Sequence, residues 1–151
     1  MIQTYQSNLE NFIHWAKNTP NNTYLKQPKA GNYTDYSYQE SLHIVEQIGS
    51  YLNEQLSDQK PNHIGILSKN SAHWILSDLA ISYAGAVSVP FYATLTSEQL
   101  NQVLVHSDCQ ILIVGKLDNW DEIQKGIPDY IQLIFTPDSP CQTGLAWNDI
   151  L

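Results

Sequence analysis

Positive charge is scarce in this chain: seven Lys and Arg stand against 15 Asp and Glu, for a formal net charge of −8. The basic residues are scattered and form no stripe, which excludes a nucleic-acid surface and weakens any polybasic membrane anchor. Long apolar runs are missing too. None approaches the roughly 18 residues of a spanning helix, and Met1-Ile2-Gln3-Thr4-Tyr5-Gln6 has neither the basic start nor the apolar stretch of a signal peptide. The expected setting is cytoplasmic. Cysteine is limited to Cys109 and Cys141, which lie far apart and fit no CxxC or metal spacing, so both read as reduced structural thiols. The seven glycines include no GxGxxG and no GxxxxGK, so neither of those phosphate-cradling loops is present. His14, His43, His63, His73 and His106 fall on different predicted elements without HxxxH spacing, and each reads as a surface or core-edge residue rather than a ligand.

What remains is an ordinary globular composition, 42% hydrophobic and 15% charged over 151 residues, enough for one hydrophobic core. Ser7 and Glu10 form a capping box for a helix at about 7–18, whose apolar face is Leu9, Phe12, Ile13 and Ala16. Thr23 to Lys26 and Asn32 to Tyr36 read as two short strands joined through a turn from Pro28 to Gly31. Ser37 and Glu40 make a second capping box for the longest helix, about 38–56, with Leu42, Val45, Ile48, Gly49, Leu52 and Leu56 in one stripe, where Gly49 implies close packing.

Strands and helices then alternate. Strands are expected at 63–67, 86–89, 110–114 and 131–135, with helices at 71–83, 96–107 and 119–125, and a further helix opening at Leu145 to Leu151. This order predicts an α/β fold: a doubly wound, mainly parallel sheet with helices on both faces, preceded by an N-terminal helix and a small β-hairpin. The helix and hairpin occupy residues 1–36, the α/β unit 37–151.

The most specific stretch is 68–105. Helical spacing of Trp74, Ile75, Asp78, Leu79, Ser82 and Tyr83 predicts that Ile75, Leu79 and Tyr83 face a sheet while Asp78 faces solvent. Gly85 is expected to stop this helix in a left-handed conformation, and Pro90 to end the strand after it by removing a ladder donor. Ile81-Ser82-Tyr83-Ala84-Gly85-Ala86-Val87-Ser88-Val89-Pro90 resembles the second core motif of the AMP-forming adenylating enzymes, the superfamily of acyl-CoA synthetases, luciferases and peptide-synthetase adenylation domains. Ser37-Tyr38-Gln39-Glu40-Ser41-Leu42 resembles the first motif, departing from it in that Ser41 stands where Leu is usual. The continuation Pro90-Phe91-Tyr92-Ala93-Thr94-Leu95-Thr96 is most similar to long-chain fatty acyl-CoA synthetases.

The resemblance implies that 37–151 is a partial N-terminal subdomain of an AMP-binding enzyme. The intact parent would use ATP and Mg²⁺ to convert a fatty acid or other carboxylate to an acyl-adenylate, then transfer the acyl group to CoA. The family's Thr-Ser-Gly-Thr-Thr-Gly-x-Pro-Lys-type loop, its acidic motifs for ribose and Mg²⁺ and its C-terminal domain do not occur in the 151 residues. No catalytic, cofactor-binding or metal-binding residue is therefore expected here, and the fragment alone is expected to be an inactive scaffold whose partner is the remainder of the parent chain. A homodimer stays open. The alternative is a free-standing α/β binding or interaction module derived from the same fold.

Individual reactive residues point the same way. His73 and Ser77 share a helix face, yet Ser77 lacks the strained elbow and oxyanion donors of a nucleophile. Asp118, Asp121 and Glu122 cluster at a helix start and read as complements of its dipole. The loop Ser68-Lys69-Asn70-Ser71 follows a central strand, at the end where open α/β sheets place ligands, although Ser71 or Asn70 capping the next helix is the preferred reading. Trp74, Tyr83, Phe91 and Tyr92 read as core or subdomain-interface packing, with an acyl-pocket wall as the other option.

Overall fold

The computed structural model describes residue 4 and residues 7–58 and 62–151; of the segment Met1 to Gln6 only Thr4 is described, so the reading of that segment lies outside the described residues. Helix α1 (Asn8–Asn18) leads into a hairpin of β1 (Thr23–Lys29) and β2 (Asn32–Ser37), followed by α2 (Tyr38–Gln55). Strand β3 (His63–Leu67), α3 (Ala72–Tyr83), β4 (Val87–Phe91), α4 (Ser97–Ser107), β5 (Ile111–Val114), α5 (Trp120–Ile123), β6 (Gln132–Phe135), β7 (Leu145–Ala146) and α6 (Trp147–Ile150) complete the chain. Both expected capping boxes form: Glu10 N–H donates to Ser7 Oγ and Glu40 N–H to Ser37 Oγ, with each Glu side chain accepting from the cap backbone. Thr96 and Gln99 add a third at the start of α4.

The five strands β4-β3-β5-β6-β7 pair in parallel throughout. Alternation divides the core in two, because successive side chains of a strand point to opposite faces. Ile64 and Ile66 of β3 and Ile111 and Ile113 of β5 face α2 and α3, with Val45, Ile48, Leu52, Leu76, Leu79 and Ile81. Leu67, Leu112 and Val114 face α4 and α5, with Leu100, Leu104 and Ile123. Burial on both faces is why β3 and β5 read as near-continuous apolar runs. Gly49 has the packing reason expected of it: a Cβ there would lie 2.6 Å from Tyr83 Cδ1 and 3.0 Å from the Ala80 carbonyl oxygen, so the missing side chain lets α2 and α3 approach.

Helix α3 ends as expected. Gly85 has φ +78°, Ala86 N–H donates to Ile81 O and Gly85 N–H to Ser82 O, the pair of bonds that defines a Schellman stop. Its faces differ from expectation. Ile75 and Tyr83 are 37% and 39% exposed, whereas His73, Leu76, Ser77, Ala80 and Ile81 are buried with Leu79, and Asp78 is half-buried. The helix contacts the sheet strand β3 but also α1, α2 and β1, so a single sheet-facing stripe does not describe it.

Four further expectations are corrected. Strand β4 continues through Pro90 to Phe91. Val87 N–H donates across to Asn62 O, and backbone groups of alternate residues point to opposite sides, so the Pro90 nitrogen points away from β3 and no ladder bond is lost. Strand β1 likewise runs past Pro28 to Lys29 in a two-stranded sheet, and the turn is reduced to Ala30 and Gly31, with φ +47° and +83°, the positive values that two-residue hairpin loops favour. The helix expected at 119–125 is four residues of α5 followed by a 3₁₀ turn, Gln124–Gly126. Leu145 and Ala146 open no helix but pair with β6, and α6 begins at the buried Trp147.

Candidate functional site

The carboxyl end of the sheet is where this topology leaves room for a ligand. From β3 the chain passes through α3 to β4 on one side, and the strand on the other side of β3 is β5, so the connections leaving β3 and β5 turn to opposite faces of the sheet. That switch point lies between β3 and β5 and is the usual crevice of open α/β folds. Here the two loops are tied across it. Lys69 N–H donates to Lys116 O at 2.8 Å, and Lys69 Nζ lies 2.7 Å from Asp118 Oδ2. The Lys69 hydrogen bond and charge, with a smaller contribution from Lys116, hold the Asp118 carboxyl below its usual value. Asp121 and Glu122 lie in the first turn of α5, where they complement its dipole as expected, while Asp118 precedes the helix and is paired with Lys69; Asn119 at the cap position makes no side-chain bond to the helix. Glu122 also pairs with Lys125 at 2.8 Å.

Two recesses flank this tie. One, of about 680 Å³, lies between the loops after β3 and β4 and includes Lys69, Asn70, Trp74, Phe91, Tyr92 and Thr94 in its lining. The other, of about 470 Å³, lies between β1 and the start of α3 and shares Asn70 and Trp74. The preferred reading of the Ser68 to Ser71 loop is seen: Ser71 Oγ accepts from Trp74 N–H. A second cap was not legible in the sequence, since Gln27 of the hairpin reaches over to accept from Ala72 N–H at 2.7 Å. Of the four singled-out aromatics, Phe91 is in the core and Tyr83 packs on Gly49, whereas Trp74 and the 80% exposed Tyr92 border the larger recess.

Behind the rim, β3, β5 and β6 are followed by Ser68, Gly115 and Thr136 in one row, continuing the Leu67, Val114 and Phe135 register. A Cβ on Gly115 would collide with Ser68 Oγ. Beyond the row, the loop after β6 brings Asp138 to within 3.3 Å of His73 Nδ1, with Trp147 packed edge-on against the imidazole at 5.7 Å. The sequence places these three on separate elements, and only the pairing of strands brings them together.

The other sequence candidates stay dispersed. Ser77 Oγ donates to the His73 carbonyl oxygen at 2.6 Å, not to the imidazole, so the hydroxyl is used by its own helix. His63 Nδ1 sits 2.7 Å from Ser107 O, His14 lies near Asn18, and His43 and His106 are exposed. Burial raises the Cys109 thiol pKa, and Ser107 Oγ donates to its sulfur; Cys141 Sγ donates to Thr143 O. Among the described residues, no three His, Cys, Asp or Glu side chains gather as metal ligands would.

Comparison with known proteins gives this arrangement a family. The model for the AMP-binding enzyme family matches residues 12–144. Fatty acyl-CoA synthetase A of Dictyostelium discoideum is 37% identical over 89 residues, 59% of this chain and 13% of the relative. A 2-succinylbenzoate–CoA ligase of Oceanobacillus iheyensis is 34% identical over 107 residues, 70% of this chain and 22% of the relative. The chain thus spans less than a quarter of the length of these curated relatives. Among solved structures, the anthranilate CoA ligase AuaEII in complex with anthranoyl-AMP superposes on 99% of this chain with 28% of its own, at TM-score 0.77 and 20% identity. A mutant form of coronafacic acid ligase from Pectobacterium brasiliense covers 94% of this chain, also at TM-score 0.77, with 19% identity. With the family model matching 12–144 and the parallel sheet shared with these ligases, the chain belongs to the AMP-binding enzyme family.

Proposed function

We propose that this chain is the N-terminal portion of a fatty-acid–CoA ligase. The observation that carries the reading is the segment 81–96, where the helix, its Gly85 stop and β4 form one structural unit and the sequence continues as Pro90-Phe91-Tyr92-Ala93-Thr94-Leu95-Thr96. The 37% identity to a fatty acyl-CoA synthetase supports the choice of acid. In the parent, a carboxylate oxygen would attack the α-phosphorus of ATP and expel pyrophosphate; the CoA thiol would then attack the acyl carbonyl and expel AMP.

Within that scheme, residues 37–151 form a partial subdomain with 1–36 as its leading helix and hairpin. This portion serves as scaffold, presents the carboxyl end of its sheet to the rest of the protein and holds no group that performs the chemistry. Among the described residues no three carboxylate, imidazole or thiol groups gather around one point, and no step is assigned to the metal. Contacts to the triphosphate and the metal belong to later parts of the parent, which we place in the cytoplasm.

The test compares the protein encoded by the whole reading frame with the 151-residue chain in fatty-acid-dependent ATP–pyrophosphate exchange and thioester formation. The whole protein should exchange and form acyl-CoA, and the 151-residue chain should stay at background. Exchange by the short chain would overturn its role as scaffold, and failure of every fatty acid with the whole protein would overturn the substrate.

A further inference from the structure

Independent of this reading, a group of buried polar atoms beyond the carboxyl end of the sheet has no hydrogen-bond partner among the described residues. They are His73 Nδ1 on α3, Thr136 Oγ1 and Asp138 Oδ2 after β6, and Trp147 Nε1 at the start of α6. His73, Thr136 and Trp147 are 6%, 2% and 1% exposed. Asp138 Oδ2 lies 3.3 Å from His73 Nδ1, and the Trp147 ring stands edge-on to the imidazole, 5.7 Å between centroids at 89°. Thr136 and Asp138 share one turn, closed by Ser139 N–H donating to Thr136 O at 3.0 Å. The sequence explains one of these orphans. An Asp in a turn ordinarily accepts from the backbone N–H two residues on, and that residue here is Pro140, which has none. His73 stands within ion-pair distance of the carboxylate but is not aligned with it as a hydrogen bond. The backbone of the segment is held by other means, Thr136 N–H donating to Val114 O at 3.0 Å and β6 pairing with β7. The unmet hydrogen bonds therefore belong to the side chains.

We infer that this corner is a binding site for one internal water molecule, which accepts from Trp147 Nε1–H and donates to Asp138 Oδ2 and His73 Nδ1, with the Thr136 hydroxyl completing the set. The chemistry of the side chains selects the ligand. An indole N–H only donates and a carboxylate only accepts, whereas a hydroxyl and an imidazole nitrogen take either role. A ligand that both donates and accepts satisfies all of them, and water does so with the two to four bonds that internal waters typically make. The indole N–H opposes a cation and the carboxylate opposes an anion, while an apolar guest leaves every one of these atoms unpaired. Bound in this way, the water joins α3, the turn after β6 and α6 through side chains that no local hydrogen bond connects.

Two measurements on the whole protein test this, and neither depends on which acid it activates. A crystal structure that shows ordered waters should place one within about 3.2 Å of both Trp147 Nε1 and Asp138 Oδ2. In solution, the Trp147 indole proton should show an NMR cross-peak to water whose nuclear and rotating-frame Overhauser effects have opposite signs, as they do for a water held in place. Trp147→Phe keeps the ring, removes the donor and identifies the cross-peak by its loss. Asp138→Ala takes away an acceptor and should abolish the long-lived cross-peak while the indole resonance itself remains. An unchanged cross-peak in Asp138→Ala overturns the site. So does a crystal structure in which Trp147 bonds Asp138 directly, in which a side chain from a later part of the protein occupies the corner, or in which no water lies between the two. Should Asp138→Ala not fold, the crystal structure of the wild type decides.

Discussion

Replacing Gly85 separates a backbone demand from every other cause of instability. The residue has φ +78°, and a Cβ built there meets nothing within 4 Å. Any loss on substitution is therefore conformational rather than steric. Placing an L-residue in this region costs roughly 1–2 kcal/mol, and a β-branched one sits at the upper part of the roughly 1–3 kcal/mol range for strained backbone. Asn, which tolerates the left-handed region, should cost least. The expected order of stability is Gly, Asn, Ala, Val. Since each kcal/mol shifts the melting point of a domain this size by about 2–4 °C, Gly85→Val should be resolved easily by thermal or urea unfolding followed through tryptophan fluorescence. Ser88→Ala is the control: the Ser88 hydroxyl is buried without a partner, so its removal should be neutral or slightly stabilising. Equal stability of Gly85→Val and Ser88→Ala would refute the argument, and with it the physical meaning given to the Gly in the 81–90 motif.

Three other substitutions test neighbouring contacts. Gly49→Ala should destabilise by about 1–3 kcal/mol in urea unfolding, because the new methyl group must displace Tyr83 and press on a backbone carbonyl of α3. Ser71→Ala should cost about 1 kcal/mol by the same assay through loss of the α3 cap; Gln27→Ala should weaken the same helix start and additionally increase exchange of the hairpin amides. Asp118→Asn should change unfolding slightly at low salt and not at all near 1 M salt, where screening acts over about 3 Å, since both partners are largely exposed.

The alternation of elements was legible because β3 and β5, buried on both faces, spell Ile-Gly-Ile-Leu and Ile-Leu-Ile-Val, and because Ser7, Ser37 and Gly85 mark helix ends by local hydrogen bonding. Errors arose where a local rule met a non-local fact. Pro stops a strand that has neighbours on both sides, but β4 has one. A helical stripe predicts one buried face, but α3 is wrapped by the sheet, by two helices and by the hairpin, which buries His73 and Ser77 and leaves Ile75 and Tyr83 partly outside. The residues at the sheet end were the least legible: Lys69 and Asp118 are 49 positions apart, and Gln27 and Ala72 are 45 apart. No spacing rule spans such distances, and only strand order sets them side by side.

The outward position of Pro90 also bears on how copies of this chain can meet. An open sheet edge invites a second strand by offering donors and acceptors in a row, and proline at an edge is one way proteins spoil that row. On β4 the outward groups are those of Ser88 and Pro90, so one of the two donors is gone. At the opposite edge β7 is two residues long, too short to template a partner. On this count, edge-to-edge extension through β4 is disfavoured by its proline and through β7 by its shortness.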